Sequence, residues 1–273
     1  MKVQGSKFKV QGSRFKVQGS RLKTANQLSA IGFNLVFMVS KIVHERMIAD
    51  NILAFYKQLR ITTALPKGIG VMNPYQEDYA FSLCQQFYHT FYHDQQLRTL
   101  LLGINPGRFG SGTTGISFTD PVKLQAVCGI ENTFPKKAEL SADFIYHMIK
   151  AFGGPKIFYE NYFISAVSPL GFTKDGKNIN YYDDMKLQKA VTPFIIESIT
   201  KIISIGMRQE KCFCIGEGKN FEFLKKLNKE HHWFKEIIPL AHPRFIMQYK
   251  RKKLQTYINE YLRHLVLHPR PFI

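Results

Sequence analysis

From residue 46 onward the apolar positions switch between two rhythms. Between Asp50 and Leu59, and again between Tyr79 and Leu97, they recur at three- and four-residue spacing, which predicts two amphipathic helices. RTLLLGIN, residues 98–105, is a continuous apolar run ending in Asn-Pro-Gly, the pattern of a buried parallel strand entering a loop. A helix is predicted around Ser141 to Phe152, stopped by Gly153, Gly154 and Pro155. Three further runs, IFYENYFISAV (157–167), KCFCIG (211–216) and EIIPLAHP (236–243), predict strands, and helices are expected near 181–204, 219–230 and 248–266. This alternation predicts a three-layer α/β/α sandwich around a mainly parallel sheet of four strands. In such sheets ligands gather where the strands end, at their carboxyl sides.

The first 46 residues follow neither rhythm. Residues 2–22 are three copies of one heptad, KVQGSKF, KVQGSRF and KVQGSRL. Each copy carries a glycine and two apolar residues at uneven spacing, so no coiled-coil seam forms. The apolar run Leu28 to Phe37 is too short to span a bilayer, contains Asn34 and lacks an A-x-A cleavage site. We expect 1–46 to be a disordered basic extension and 47–273 to be the folded domain, with Met38 and Met47 both open as native starts.

Charge sharpens this division. The 273 residues hold 38 Lys+Arg against 20 Asp+Glu, a net charge of +18. The stretch up to Arg46 supplies +8 of it and the remainder keeps +10. That excess favours a polyanionic partner, and without a membrane-spanning segment the expected one is DNA, single- or double-stranded. Cys84, Cys128, Cys212 and Cys214 lack C-x-x-C spacing and read as buried structural thiols of an intracellular protein. His89 and His93 stand four apart on a predicted helix, but no third ligand accompanies them, so neither a metal nor a cofactor is expected.

The loop after the first strand, Gly103 to Phe118, is the most informative segment. Within it Gly110-Ser-Gly112-Thr-Thr-Gly115 matches G-x-G-x-x-G, a dinucleotide fingerprint. The match sits in the wrong place. Asn105-Pro106-Gly107 separates it from the strand, and Ile-Ser-Phe-Thr-Asp-Pro follows the glycines. Two other predicted strands end in polar turns: Ser165 to Ser168 with Pro169-Leu170, and Ala241-His242-Pro243-Arg244 with Lys250 to Lys253 behind it.

Taken together these segments resemble the uracil-DNA glycosylase superfamily, and within it most closely the single-strand-selective monofunctional uracil-DNA glycosylases. The resemblance is carried by Gly103-Ile-Asn-Pro-Gly-Arg-Phe-Gly110, Gly115-Ile-Ser-Phe118, Pro169-Leu-Gly-Phe-Thr-Lys-Asp-Gly-Lys-Asn178 and His242-Pro243, in family order over about residues 75 to 265. A second His-Pro, His268-Pro269, follows no predicted strand, so His242 takes the family's position. The resemblance implies a monofunctional enzyme that flips a damaged base out of DNA and hydrolyses its glycosidic bond, beginning base excision repair. His242 is implied as the donor to the departing base and Asn105 as the group that positions the attacking water. Phe118 is implied to stack on the base, in a pocket shared by Ile104, Gly107, Phe109, Ser165, Ala166 and Ser168. Gly107 leaves room beside the pyrimidine 5-position. Arg244 and Phe245 fall where the family wedges the duplex, and Lys174, Lys177, Lys250, Arg251 and Lys252 where phosphates are met. A monomer is expected, cytoplasmic, and associated with the nucleoid if the source is bacterial.

One position departs from the family. The asparagine that reads the uracil edge is replaced by Ala166, while Asn161 comes five residues too early, in the middle of the predicted strand. Ser165 and Ser168 offer no paired donor and acceptor of the kind an amide has. Relaxed specificity is therefore expected, extending to xanthine and hypoxanthine. No lysine falls at the positions assigned to the base, so strand cleavage is not expected. Two other classes stay open: a catalytically silent nucleic-acid-binding module on the same fold, and a nucleotide-cofactor enzyme using the Gly110–Gly115 loop. Base release lost in Asn105→Ala or His242→Ala identifies the first class, salt-dependent DNA binding without base release the second, and nicotinamide nucleotide binding abolished by Gly112→Val the third.

Overall fold

The computed structural model describes residues 47–265. The basic repeats, the alternative start at Met38 and His268-Pro269 lie outside the described residues.

The elements run α1 (Ile48–Gln58), β1 (Ile69–Met72), α2 (Asp78–Phe91), β2 (Arg98–Gly103), α3 (Ser111–Thr114), α4 (Pro121–Ala126), α5 (Leu140–Phe152), α6 (Pro155–Asn161), β3 (Tyr162–Ala166), β4 (Gly171–Lys174), β5 (Lys177–Ile179), α7 (Met185–Ser204), β6 (Met207–Ile215), α8 (Lys219–His231), β7 (Glu236–Leu240), α9 (Pro243–Tyr249) and α10 (Leu254–His264). Strands β3-β2-β6-β7 form one parallel four-stranded sheet with helices on both sides, the α/β sandwich that the alternation predicts.

β2 is central and buried along its whole length. Its first residue, Arg98, is fully buried yet satisfied: Asp94 accepts from two guanidinium nitrogens at 2.9 and 2.7 Å, and the Tyr159 carbonyl accepts from Nε at 2.7 Å. A buried charge survives only with such partners. β7 lies on the sheet edge, where Pro239 costs no ladder bond needed by a neighbour. α7 begins at Asp184, whose carboxylate accepts from the Lys186 and Leu187 amides at 2.8 and 3.1 Å.

Three expectations are corrected. The strand expected over 157–167 is helical as far as Asn161. Gly154, at φ 95°, turns the chain and Pro155 opens α6, so pairing with β2 begins only at Tyr162. Asn161 thus ends a helix, its side chain donating to the Ile157 carbonyl at 2.8 Å, rather than sitting mid-strand. The helix expected over 248–266 begins earlier, at Pro243, and breaks at Lys250 into α9, a short 3-10 turn at Arg251–Lys253, and α10. Finally, a second sheet of order β1-β4-β5 is antiparallel and was not expected. Its β4–β5 hairpin turns at Asp175 and Gly176, both with positive φ, as a two-residue Asp-Gly turn requires.

Candidate active site

A cavity of about 680 Å3 opens where β2, β3 and β7 end, the place that strand-end chemistry selects. Beyond the strands, the Val167 and Ser168 amides donate to the Gly103 and Ile104 carbonyls at 2.9 and 3.0 Å. This holds the β2 and β3 exits side by side. Asn105 follows directly. Its Oδ1 accepts from the Tyr181 amide at 3.0 Å, while Nδ2 donates to the Ile179 and Pro106 carbonyls at 3.3 Å each. The amide is therefore locked in one orientation by the chain that follows β5, with one Oδ1 lone pair left over.

At the β3 exit Ser165 and Ala166 both line the cavity. The Ser165 hydroxyl shares a hydrogen bond of 3.4 Å with Tyr56 of α1, which stacks on Tyr75 with centroids 4.3 Å apart. Burial raises the Tyr56 phenol above its ordinary range, so it stays neutral.

At the β7 exit His242 caps α9. Its Nδ1 accepts from the Arg244 amide at 3.2 Å, so a neutral imidazole carries its proton on Nε2. Burial, helped by the nearby Arg244 charge, pulls its pKa down to about 4. The turn leading into it is pinned by Tyr261 of α10, whose hydroxyl donates to the Ala241 carbonyl at 2.6 Å.

Phe118 faces the same space. Its φ of 53° lies in the left-handed region, which costs a non-glycine residue roughly 1–2 kcal/mol. The ring lies against Gly103, where an added Cβ would come within 2.7 Å of it, and its centroid is 6.2 Å from that of His242.

Of the sequence-selected residues, the cavity brings together Ile104, Asn105, Gly107, Phe118, Ser165, Ala166, His242, Arg244 and Phe245. Phe109 and Ser168 do not reach it. Phe109 is 47% exposed, its ring lying below the Lys137 ammonium at 4.9 Å and the Arg108 guanidinium at 5.3 Å. Ser168 is fully buried and donates to the Leu170 carbonyl at 2.8 Å, leaving it no surface for a base or a phosphate. Lys174 and Lys177 sit on the β4–β5 hairpin, and Lys174 lies 3.7 Å from Asp184. Lys250, Arg251 and Lys252 are exposed behind α9. Phe245 packs against Tyr249 at 5.8 Å, and both are substantially exposed.

The motifs did not reveal several lining residues, among them Glu139, Tyr182, Lys219 and Asn220, while Asn178, the last residue of the Pro169–Asn178 motif, lines the cavity without having been assigned a role. Lys219 lines the cavity outside the positions assigned to the base; its ammonium stands 6.0 Å over the Tyr182 ring. Asn220 is spent internally, accepting from Tyr181 Oη at 2.8 Å and donating to the Gly103 carbonyl at 3.3 Å. Glu139 is half-buried just ahead of α5, and no sequence motif contains it. Its pKa is pushed up to about 7, chiefly by burial and further by Asp120, with Arg244 opposing.

The G-x-G-x-x-G match is explained by packing. A Cβ on Gly110 would meet Glu139 at 1.8 Å, one on Gly112 the Gly107 carbonyl at 2.6 Å, and one on Gly115, at φ 73°, the Cys84 sulfur at 2.5 Å. The glycines face their own protein rather than a phosphate. Cys212 and Cys214 are buried, and desolvation raises both thiols, Cys214 to about 12. His89 bonds Asp50 at 3.1 Å, and among the described residues no three His, Cys, Asp or Glu side chains gather as a metal would need. Nor is any described helix long and apolar enough to cross a membrane.

Comparison with known proteins supplies a family. The model of the uracil DNA glycosylase superfamily matches residues 89–266. Among solved structures, wild-type SMUG2 of Pedobacter heparinus is 48% identical, with a TM-score of 0.78, and the match covers 80% of this chain and 96% of that one. No curated protein matches the chain.

Proposed function

The chain belongs to the uracil DNA glycosylase superfamily, and from that premise we propose that it flips uracil, xanthine and hypoxanthine out of DNA and hydrolyses the bond joining each to its sugar. Its class is that of a DNA glycosylase acting on N-glycosidic bonds, in base excision repair. The finer reading rests on one observation: Asn105 and Phe118, from the two ends of the loop after β2, and His242, from the exit of β7, face a single cavity at the strand ends.

In this reading the base enters against the Phe118 ring, which offsets part of the stacking lost on flipping. The neutral His242 donates from Nε2 to the base oxygen where negative charge grows as the bond breaks. Because the imidazole is already neutral at physiological pH, it acts as a fixed donor and has no proton to lose first. The free Oδ1 lone pair of Asn105 accepts from the attacking water and orients it towards the sugar cation. An amide is too weak a base to do more, so the acceleration comes from leaving-group stabilisation and placement. Arg244, Phe245 and Tyr249 border the cavity and hold the strand around the gap, while Lys177, Lys250, Arg251 and Lys252 meet phosphates. Residues 47–273 carry this activity as a monomer, behind the basic extension of 1–46, in the cytoplasm, at the nucleoid of a bacterial host.

Oligonucleotides carrying uracil, hydroxymethyluracil, xanthine, hypoxanthine or mismatched thymine, in single and double strands, test the reading. Abasic product should appear after alkali for uracil, xanthine and hypoxanthine. Strands should stay intact without alkali, despite Lys219 at the cavity wall. No abasic product from any of them overturns the reading.

A further inference from the structure

The lactam edge of a deaminated base sets a definite requirement. Uracil offers O4 as acceptor beside N3–H as donor; xanthine and hypoxanthine offer O6 beside N1–H. A reader needs a donor and an acceptor side by side, both uncommitted. Four polar side chains of the cavity fail this test. The Asn105 amide nitrogen is held by two carbonyls, and its oxygen already takes one amide. Asn220 is satisfied inside the fold. Ser165 has a single hydroxyl, engaged with Tyr56. His242 has one face used by the Arg244 amide.

Glu139 differs. Its backbone amide is anchored to Asp120 Oδ2 at 2.7 Å, but neither carboxyl oxygen has a hydrogen-bond partner among the described residues. The carboxyl lines the cavity and lies against the loop that follows β2. A Cβ at Gly107 would stand 3.0 Å from Oε1, and one at Gly110 1.8 Å from Oε2. In the glycosylase reading the family resemblance puts Gly107 beside the pyrimidine 5-carbon, next to C4 and its oxygen. Two glycines thus make space for an acid tip at the edge of the base. We propose that Glu139 reads the lactam edge of the flipped base, in place of the amide that position 166 lacks. This rests on the glycosylase reading above and names the group that gives it specificity.

The chemistry requires the protonated form. A neutral carboxyl donates its O–H to O4 and accepts from N3–H, the same two bonds an amide makes. A carboxylate only accepts; it faces O4 unfavourably and opposes the charge gathering on the departing base. The groups acting on Glu139 are Asp120, at the start of α4, which favours the neutral acid, and Arg244, on α9, which opposes it. Arg108, on the glycine loop itself, is turned away to the Gly176 carbonyl. With a midpoint at about 7, the reading form is present below neutrality and lost above it.

Single-turnover release of uracil near pH 6 and near pH 8.5 tests this in the wild type, Glu139→Gln and Glu139→Ala. The wild type should slow by roughly thirtyfold at the higher pH, one and a half units past the midpoint. Glu139→Gln carries the same donor and acceptor without a titrating proton, so its two rates should agree within about threefold. Glu139→Ala should be slow at both pH values. A residue that merely supports the loop would leave the pH profile unchanged. If Glu139→Gln falls with pH as the wild type does, or Glu139→Ala keeps wild-type rates, the assignment of Glu139 is overturned while the glycosylase reading stands. A wild type that releases no uracil at either pH overturns both.

Discussion

The Tyr181 amide donates to Asn105 Oδ1 at 3.0 Å, across a sequence separation of 76 residues. The bond ties the exit of the central strand to the segment between β5 and α7, and the Ile179 carbonyl takes the amide nitrogen from the same side. Asn105→Asp is therefore not a conservative change. One of its oxygens would face the Ile179 and Pro106 carbonyls, an acceptor set against acceptors. It should lower stability by about 1–3 kcal/mol, read as a drop in Tm, and slow uracil release rather than supply a stronger base. Asn105→Ala should slow release at least as much with a smaller loss of Tm.

His242 makes the opposite demand on pH from an ordinary histidine. Its folded pKa of about 4 lies below the unfolded value of about 6.5. Between these values the unfolded chain binds the extra proton, so this residue makes stability fall as pH drops from 6.5 towards 4. Activity should hold across that interval and decline only as pH approaches 4, whereas a histidine acting as imidazolium would gain activity below 6.5. His242→Ala should slow release by about 10²–10³-fold, the usual cost of one lost oxyanion donor.

Glu139 has the reverse sign. Its folded pKa of about 7 exceeds the ordinary carboxylate value, so the native state holds a proton that the unfolded chain gives up. Stability from this residue is present at low pH and declines as pH rises through 7. Glu139→Gln should raise Tm at pH 8 and leave it nearly unchanged below pH 4.5. After discounting for partial exposure, the gain is of order 1–2 kcal/mol. A Tm difference that does not depend on pH would contradict the buried-acid environment.

These residues also show where the sequence is readable. The path from strand to loop to Asn105 was legible because a fully buried strand leaves a continuous apolar run, and Asn-Pro-Gly marks its end. His242 was legible from the His-Pro that follows the run EIIPLA, although β7 is an edge strand with only Leu240 buried. The strand expected over 157–167 failed in its first five residues because apolar spacing cannot tell a short buried helix from a strand; Gly154-Pro155 held the answer. The second sheet went unseen although Asp175-Gly176 is a strong hairpin signal, because its strands have only three or four residues each. Glu139 was invisible in principle. Its significance comes from lying against Gly107 and Gly110, about thirty residues earlier in the chain, and from a burial that no local pattern records.

Tyr261 acts on the site at one remove. Its hydroxyl holds the Ala241 carbonyl at 2.6 Å in a fully buried contact, immediately before His242. Tyr261→Phe leaves that carbonyl unsatisfied and should cost about 1–3 kcal/mol of stability. If the bond also sets the imidazole's position, single-turnover release should slow while substrate affinity stays close to wild type.

The exposed basic turn behind α9 should govern affinity rather than chemistry. Lys250, Arg251 and Lys252 belong to no ion pair among the described residues, whereas Lys174 lies 3.7 Å from Asp184 and is partly neutralised. Each phosphate contact releases condensed counterions, so the slope of log Kd against log salt should fall by about one per contact removed. Arg251→Ala combined with Lys252→Ala should reduce that slope by up to about two and weaken binding to undamaged and uracil-containing strands alike. Release within the bound complex should be unaffected, because neither residue lines the cavity. Lys174→Ala should change the slope by less than one, since Asp184 already competes for that charge. Fluorescence anisotropy over a salt series, beside single-turnover release at saturating enzyme, separates the two effects. An unchanged slope in the double variant would place the DNA backbone elsewhere on the molecule.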